Sequence, residues 1–207
     1  MDAPAWTAII PVKPFAAAKS RLPNGAAFAE AFLRDVISAL HGMTAISRVV
    51  IVTADPVVAS LAHAHGCDVT HEEHLLGINE AVTLAARDIH EGGIIVVLGD
   101  LPCLTSEALE AALTDAARHD TAFVSDEGGT GSTIWCRRDG APTATHFGVR
   151  SRAAHRFAGA VEIDPEPGTT LSARLHRDVD TEVDLWDAIR IGVGSQTARL
   201  LDSNKAT

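Results

Sequence analysis

The chain has 207 residues, of which 46% are hydrophobic and 21% charged. That balance fits one globular domain and excludes a disordered chain, a collagen and a coiled-coil rod. Lys and Arg number 17 against 27 Asp and Glu, so the net charge is −10 and neither nucleic acid nor an anionic membrane is an expected partner. The longest apolar run, Ile94–Leu98, is far too short to span a bilayer, and no basic leader precedes the first apolar stretch, so the expected location is cytoplasmic. The three cysteines, Cys67, Cys103 and Cys136, are odd in number and form no CxxC, so they are expected as buried or idle thiols.

In chain order, Trp6–Val12 reads as a strand, and Ala26–Leu40 as a helix with Phe28, Phe32, Val36 and Leu40 on one face. Arg48–Thr53 is a nearly continuous apolar run, as in a strand buried on both sides of a parallel sheet. Pro56–His65 reads as a helix stopped by Gly66, and Cys67–Thr70 as a short strand. A helix over Asn79–His90 ends at Gly92–Gly93, and Ile94–Leu98 is the clearest buried strand. Thr105 or Ser106 would cap a helix running to Arg118, and Thr121–Ser125 is another strand. From Asp126 to about Arg150 glycines and turn residues dominate; helix returns after Ser151 and after Asp184. The alternation predicts a single α/β domain: an open, mostly parallel Rossmann-like sheet with helices on both faces and an antiparallel edge. Residues 1–125 would carry this alternation, and 126–207 would add a substrate-covering subregion. Ligands of such sheets sit beyond the strands' carboxyl ends.

Six segments there carry candidate chemistry. Lys13, Lys19 and Arg21 follow the first strand and suit a polyphosphate, though a solvated basic loop would look the same; neither GxxxxGK[ST] nor GxGxxG is present. Asp100 follows Ile94–Leu98 and is placed for a divalent cation or as a turn residue. Asp178 and Asp180 lie two apart and would face one side of an extended segment, while Asp180 also reads as a helix cap. The Gly128–Thr133 run reads as a ligand cradle or a plain hairpin loop. The stretch from His146 to Ser151 leads into a helix that holds His155, with Ser151 as its cap or an anion contact. Gly77 and Asn79 precede a helix that Asn79 would cap, unless it contacts a base or ribose. His63, His65, His71 and His74 match no zinc spacing and read as surface residues.

Taken in order, IIPVKPFAAAKSRL, LLGINEAV, VVLGDLPCL, GTGST, HFGVRSRAAHRFAGAVEI and LHRDVDTEVDL resemble one family across nearly the whole chain. It is the guanylyltransferase of coenzyme F-420 biosynthesis, which joins GTP to 2-phospho-L-lactate or phosphoenolpyruvate. The resemblance implies a nucleotidyltransferase fold, with Lys13, Lys19 and Arg21 on the nucleotide phosphates and Gly77 and Asn79 at the nucleoside. It further implies Mg²⁺ on Asp100, Asp178 and Asp180, and the phosphorylated three-carbon acid on Thr133, Gly148 and Ser151. Ser132 stands where relatives often carry Thr, which keeps the hydroxyl. In the implied reaction the acceptor's phosphate attacks the α-phosphorus of GTP and pyrophosphate leaves. The acceptor expected is phosphoenolpyruvate, with 2-phospho-L-lactate and 3-phospho-D-glycerate as alternatives, and the product would pass to a deazaflavin-transferring enzyme. A homodimer is compatible with the sequence. Rival readings are a molybdenum-cofactor or sugar-phosphate nucleotidyltransferase, which would need a Gly-rich first loop absent here, and a non-catalytic GTP-binding domain.

Overall fold

The computed structural model describes residues 5–205; residues 1–4, where a leader would begin, lie outside it. The strands are β1 (Trp6–Pro11), β2 (Ile46–Thr53), β3 (Asp68–His71), β4 (Gly93–Val97), β5 (Thr121–Ser125), β6 (Ser132–Arg137) and β7 (Val161–Glu162). They form one sheet in the order β3-β2-β1-β4-β6-β5-β7, so both halves of the chain contribute to the same sheet. The helices are α1 (Gly25–His41), α2 (Pro56–Ala64), α3 (Ile78–Ala86), α4 (Ser106–Ala116), α5 (Ser151–Phe157), α6 (Thr170–His176), α7 (Glu182–Ile191) and α8 (Ser195–Lys205).

The central strands are apolar on both sides because both sides are covered. Ala8 and Ile10 of β1 pack with Leu33, Val36 and Leu40 of α1, while Ile9 packs with Ala81 and Val82 of α3. Burying each such Ile or Val contributes about 1.5–3 kcal/mol. Among the described residues no helix is long and apolar enough to cross a membrane. Cys67, Cys103 and Cys136 are buried free thiols, with burial pushing Cys67 up to about 11 and Cys103 up to about 12.

Three expectations change. The antiparallel strand is not at an edge: β6 lies between β4 and β5 and pairs antiparallel with both. All six of its residues are buried, with Ile134 and Cys136 on one side and Trp135 on the other, so both its ladders need partners. The third helix stops at Ala86 instead of His90; Arg87–His90 turn, which folds Ile89 into the core. Ser151 does not cap its helix: the cap residue is Arg150, in the left-handed region at φ 58°, and Ser151 is the first helical residue.

Candidate active site

The carboxyl ends of the parallel strands all open on one edge of the sheet, and a cavity of about 370 Å³ lies there. The loop after β1 contributes Lys13 and Lys19, the turn after β3 contributes Glu72 and Gly77, and β4 leads into Gly99 and Asp100. Asp180 reaches the same wall from the segment before α7. That segment is tied to the edge by a hydrogen bond from the Val179 N–H to the Asp100 carbonyl, 3.1 Å.

Lys19 is the centre of the cluster. Its ammonium donates to Asp100 Oδ2 and to Asp180 Oδ1, each at 2.6 Å, and its side chain is only 9% exposed. Burial disfavours the charge, but the two carboxylates outweigh it and hold the pKa above the usual lysine value. The backbone turns at Lys19 with φ 53°, and Gly25 closes the loop, because a Cβ there would strike the Lys19 carbonyl oxygen. Asp178 is pushed up to about 7, first by burial and then by the negative charge of Asp100, Asp180 and Asp126.

The other predicted residues fall into two groups. Gly77 lines the cavity with φ 95°, a conformation that favours glycine. Arg21 is exposed and outside the cavity wall. Asn79 neither caps α3, whose cap residue is Gly77, nor lines the cavity. Its amide is held by the Phe147 backbone, donating to the carbonyl at 2.9 Å and accepting from the N–H at 2.8 Å. Asp180 does not cap α7 either; Thr181 does, in a capping box with Asp184, which leaves the Asp180 carboxylate for Lys19.

Thr133, Gly148 and Ser151 do not meet in the wall of this cavity. The Thr133 hydroxyl is buried and donates to the Leu175 carbonyl at 2.7 Å. Gly148 is exposed with φ 128°. Ser151 belongs to a buried chain the sequence reading did not assemble. The His146 backbone N–H donates to His155 Nε2 at 2.9 Å, so the proton of the neutral ring is on Nδ1. Nδ1 therefore donates to Ser132 Oγ at 3.0 Å, and Ser132 Oγ is hydrogen-bonded to Ser151 Oγ, also at 3.0 Å, where either hydroxyl can donate. Burial, then the His146 charge, lowers the His155 pKa to about 4, so the chain stays neutral at pH 7. Beyond it, Ser125, Asp126, Arg152, Asp164 and His176 line a second cavity of about 500 Å³ at the end of β5.

The acidic residues suit a divalent cation. Asp100 Oδ1 is buried with no hydrogen-bond partner, and the Asp180 side chain is 61% exposed. Carboxylate oxygens are the donors Mg²⁺ takes. Among the described residues no three His, Cys, Asp or Glu side chains already stand as a ligand set, and the Lys19 ammonium takes the place between Asp100 and Asp180.

Comparison with known proteins decides the family. Residues 6–204 match the family described as "Guanylyl transferase CofC like". The chain belongs to this family. A phosphoenolpyruvate guanylyltransferase of Thermomonospora curvata is 36% identical over 204 residues, covering 94% of this chain and 88% of that protein. One from Streptomyces scabiei is 37% identical over 207 residues, covering 93% and 94%. As a member of the CofC-like guanylyltransferases the chain is a nucleotidyltransferase, and the fold agrees. A nucleotide-diphospho-sugar transferase structure from Desulfovibrio desulfuricans G20 has a TM-score of 0.68 at 18% identity, covering 97% of this chain and 95% of its own. A 4-diphosphocytidyl-2C-methyl-D-erythritol synthase structure has a TM-score of 0.60 at 14% identity, covering 91% and 99%.

Proposed function

We propose that the chain transfers GMP from GTP to the phosphate of phosphoenolpyruvate, in coenzyme F-420 biosynthesis. The observation that most supports this is the convergence of Lys13, Lys19, Asp100 and Asp180 on one cavity at the strands' carboxyl edge. The relatives named above carry that acceptor in their names. A bond forms between an oxygen of the acceptor phosphate and the α-phosphorus of GTP, the α–β anhydride bond breaks, and its electron pair leaves with pyrophosphate.

Both partners are anions, so bringing them together is the main barrier. Lys13 and Lys19 bring ammonium charge to the triphosphate and offset the repulsion. Mg²⁺ held by Asp100, Asp178 and Asp180 would neutralise phosphate charge and favour in-line geometry. A phosphate nucleophile is already ionised at pH 7 and needs no general base, in keeping with a His155 that stays neutral and hydrogen-bonded. In this reading the Ser151 hydroxyl holds an anionic oxygen of the acceptor.

Asp100→Asn tests the arrangement. Asp100 accepts the Lys19 bond and has a second, orphaned oxygen for the cation, so the amide should cut pyrophosphate release from GTP and phosphoenolpyruvate by roughly a hundredfold or more. The far-ultraviolet circular dichroism spectrum should not change. Near-wild-type release by this variant would remove Asp100 from the chemistry.

A further inference from the structure

Glu72 is a buried carboxylate that the transfer chemistry leaves unused. It follows β3 directly, its backbone N–H donating to the Thr53 carbonyl at 3.0 Å. The residue is only 4% exposed, yet it lines the 370 Å³ cavity, and its Oε1 is shut from water without a hydrogen-bond partner. Burial raises its pKa against the Leu76 backbone N–H and the charges of His74 and His71. A buried acceptor with no donor is costly unless a ligand supplies one.

Two features say which part of a nucleotide does so. Leu75, Ile78, Ala81 and Leu98 line the same cavity, giving it apolar walls suited to a flat ring. Along the sheet edge the strands run β3, β2, β1, β4, so Glu72 and Asp100 sit at opposite ends of roughly three strand spacings, about 14 Å. The triphosphate belongs with Lys13, Lys19 and Asp100; the base, the part farthest from it, then falls at Glu72 and the ribose between them.

Given the nucleotide-transfer reading above, we infer that the Glu72 carboxylate accepts the N1–H and N2 amino hydrogens of a guanine base and is the residue that selects GTP over ATP. A carboxylate is an acceptor with two oxygens side by side, and guanine presents two adjacent donors on one edge. Adenine has no amino group at C2 and turns a bare N1 acceptor toward the carboxylate, leaving Oε1 unpaired and repelled.

The test compares wild type, Glu72→Gln and Glu72→Asp by calorimetric titration with GTP, xanthosine triphosphate and 2′-deoxy-GTP, and by pyrophosphate release with phosphoenolpyruvate. Xanthine has an oxygen where guanine has its amino group. A Gln amide donates to that oxygen while its carbonyl accepts N1–H, so the GTP-to-xanthosine-triphosphate affinity ratio of Glu72→Gln should fall by about tenfold to a hundredfold. Glu72→Asp should keep the preference for GTP. These ratios are taken within one variant, so a lower folded fraction cancels. An unchanged ratio in Glu72→Gln overturns the inference. So does a collapse of the GTP-to-2′-deoxy-GTP ratio instead, which would place the carboxylate on the ribose. Should wild type bind GTP with the expected base preference yet release no pyrophosphate, the transfer reading fails and base recognition stands.

Discussion

At the scale of single residues, the buried His155 ties stability to pH. Its ring accepts from the His146 N–H and donates to Ser132, an arrangement that only the neutral form can make. The folded pKa of about 4 lies below the ordinary histidine value of 6.5. Between those two values the unfolded chain binds a proton here that the folded chain refuses, so stability falls as pH drops through that window. The slope approaches about 1.4 kcal/mol per pH unit for one proton. His155→Gln, which keeps a donor toward Ser132 but cannot titrate, should flatten the fall in Tm between pH 6.5 and 4.5. Parallel Tm curves for the two proteins would contradict this. The residues legible in sequence were those whose position after a strand already limits their role, such as Lys19 and Asp100. Their mutual contact was not legible, because 81 residues separate them. Glu72 is not legible in the sequence because it sits in a run of His and Glu that reads as solvated surface, His71 to His74. What marks it, a buried oxygen without a donor, exists only once the turn after β3 is folded.

Among the elements, the C-terminal helix shows how one acidic residue fixes a remote segment. Asp35, buried on α1, accepts from the N–H groups of Gln196 and Thr197 at 2.9 and 3.0 Å and from the Thr197 hydroxyl at 2.7 Å. It thereby satisfies the free donors at the start of α8 from another helix. Asp35→Ala should cost about 2 kcal/mol, or roughly 4–8 °C in Tm for a chain of this size. Hydrogen exchange should show α8 losing protection more than β1 or β4; uniform loss would mean Asp35 acts through the α1 core instead. Strands β1, β2, β4 and β5 were readable because a parallel strand covered on both sides must be apolar throughout. β6 was hidden by the glycines before it and the turn residues after it, although Ile134, Trp135 and Cys136 carry the same signature.

On the scale of the whole molecule, the proposed reaction asks a chain of net charge −10 to bind a triphosphate and a phosphorylated acid. Lys13 and Lys19 are concentrated at one edge of the sheet, where Asp100 and Asp180 hold Lys19 in place. The segment between β6 and α5 is tied to α3 by the Asn79 side-chain amide, which pairs with the Phe147 backbone. Strand–helix alternation shows the fold class, but this tie joins residues 68 apart, which no local pattern carries. The measurement that bears most directly on the proposed reaction uses purified protein with GTP and Mg²⁺. Phosphoenolpyruvate, 2-phospho-L-lactate and 3-phospho-D-glycerate are added singly, and pyrophosphate and product mass are followed. The account predicts pyrophosphate release with phosphoenolpyruvate and a product whose mass is GMP joined to that acid through a new phosphoanhydride. Free GMP or GDP as the product, or no release with any of the three acids, would contradict it.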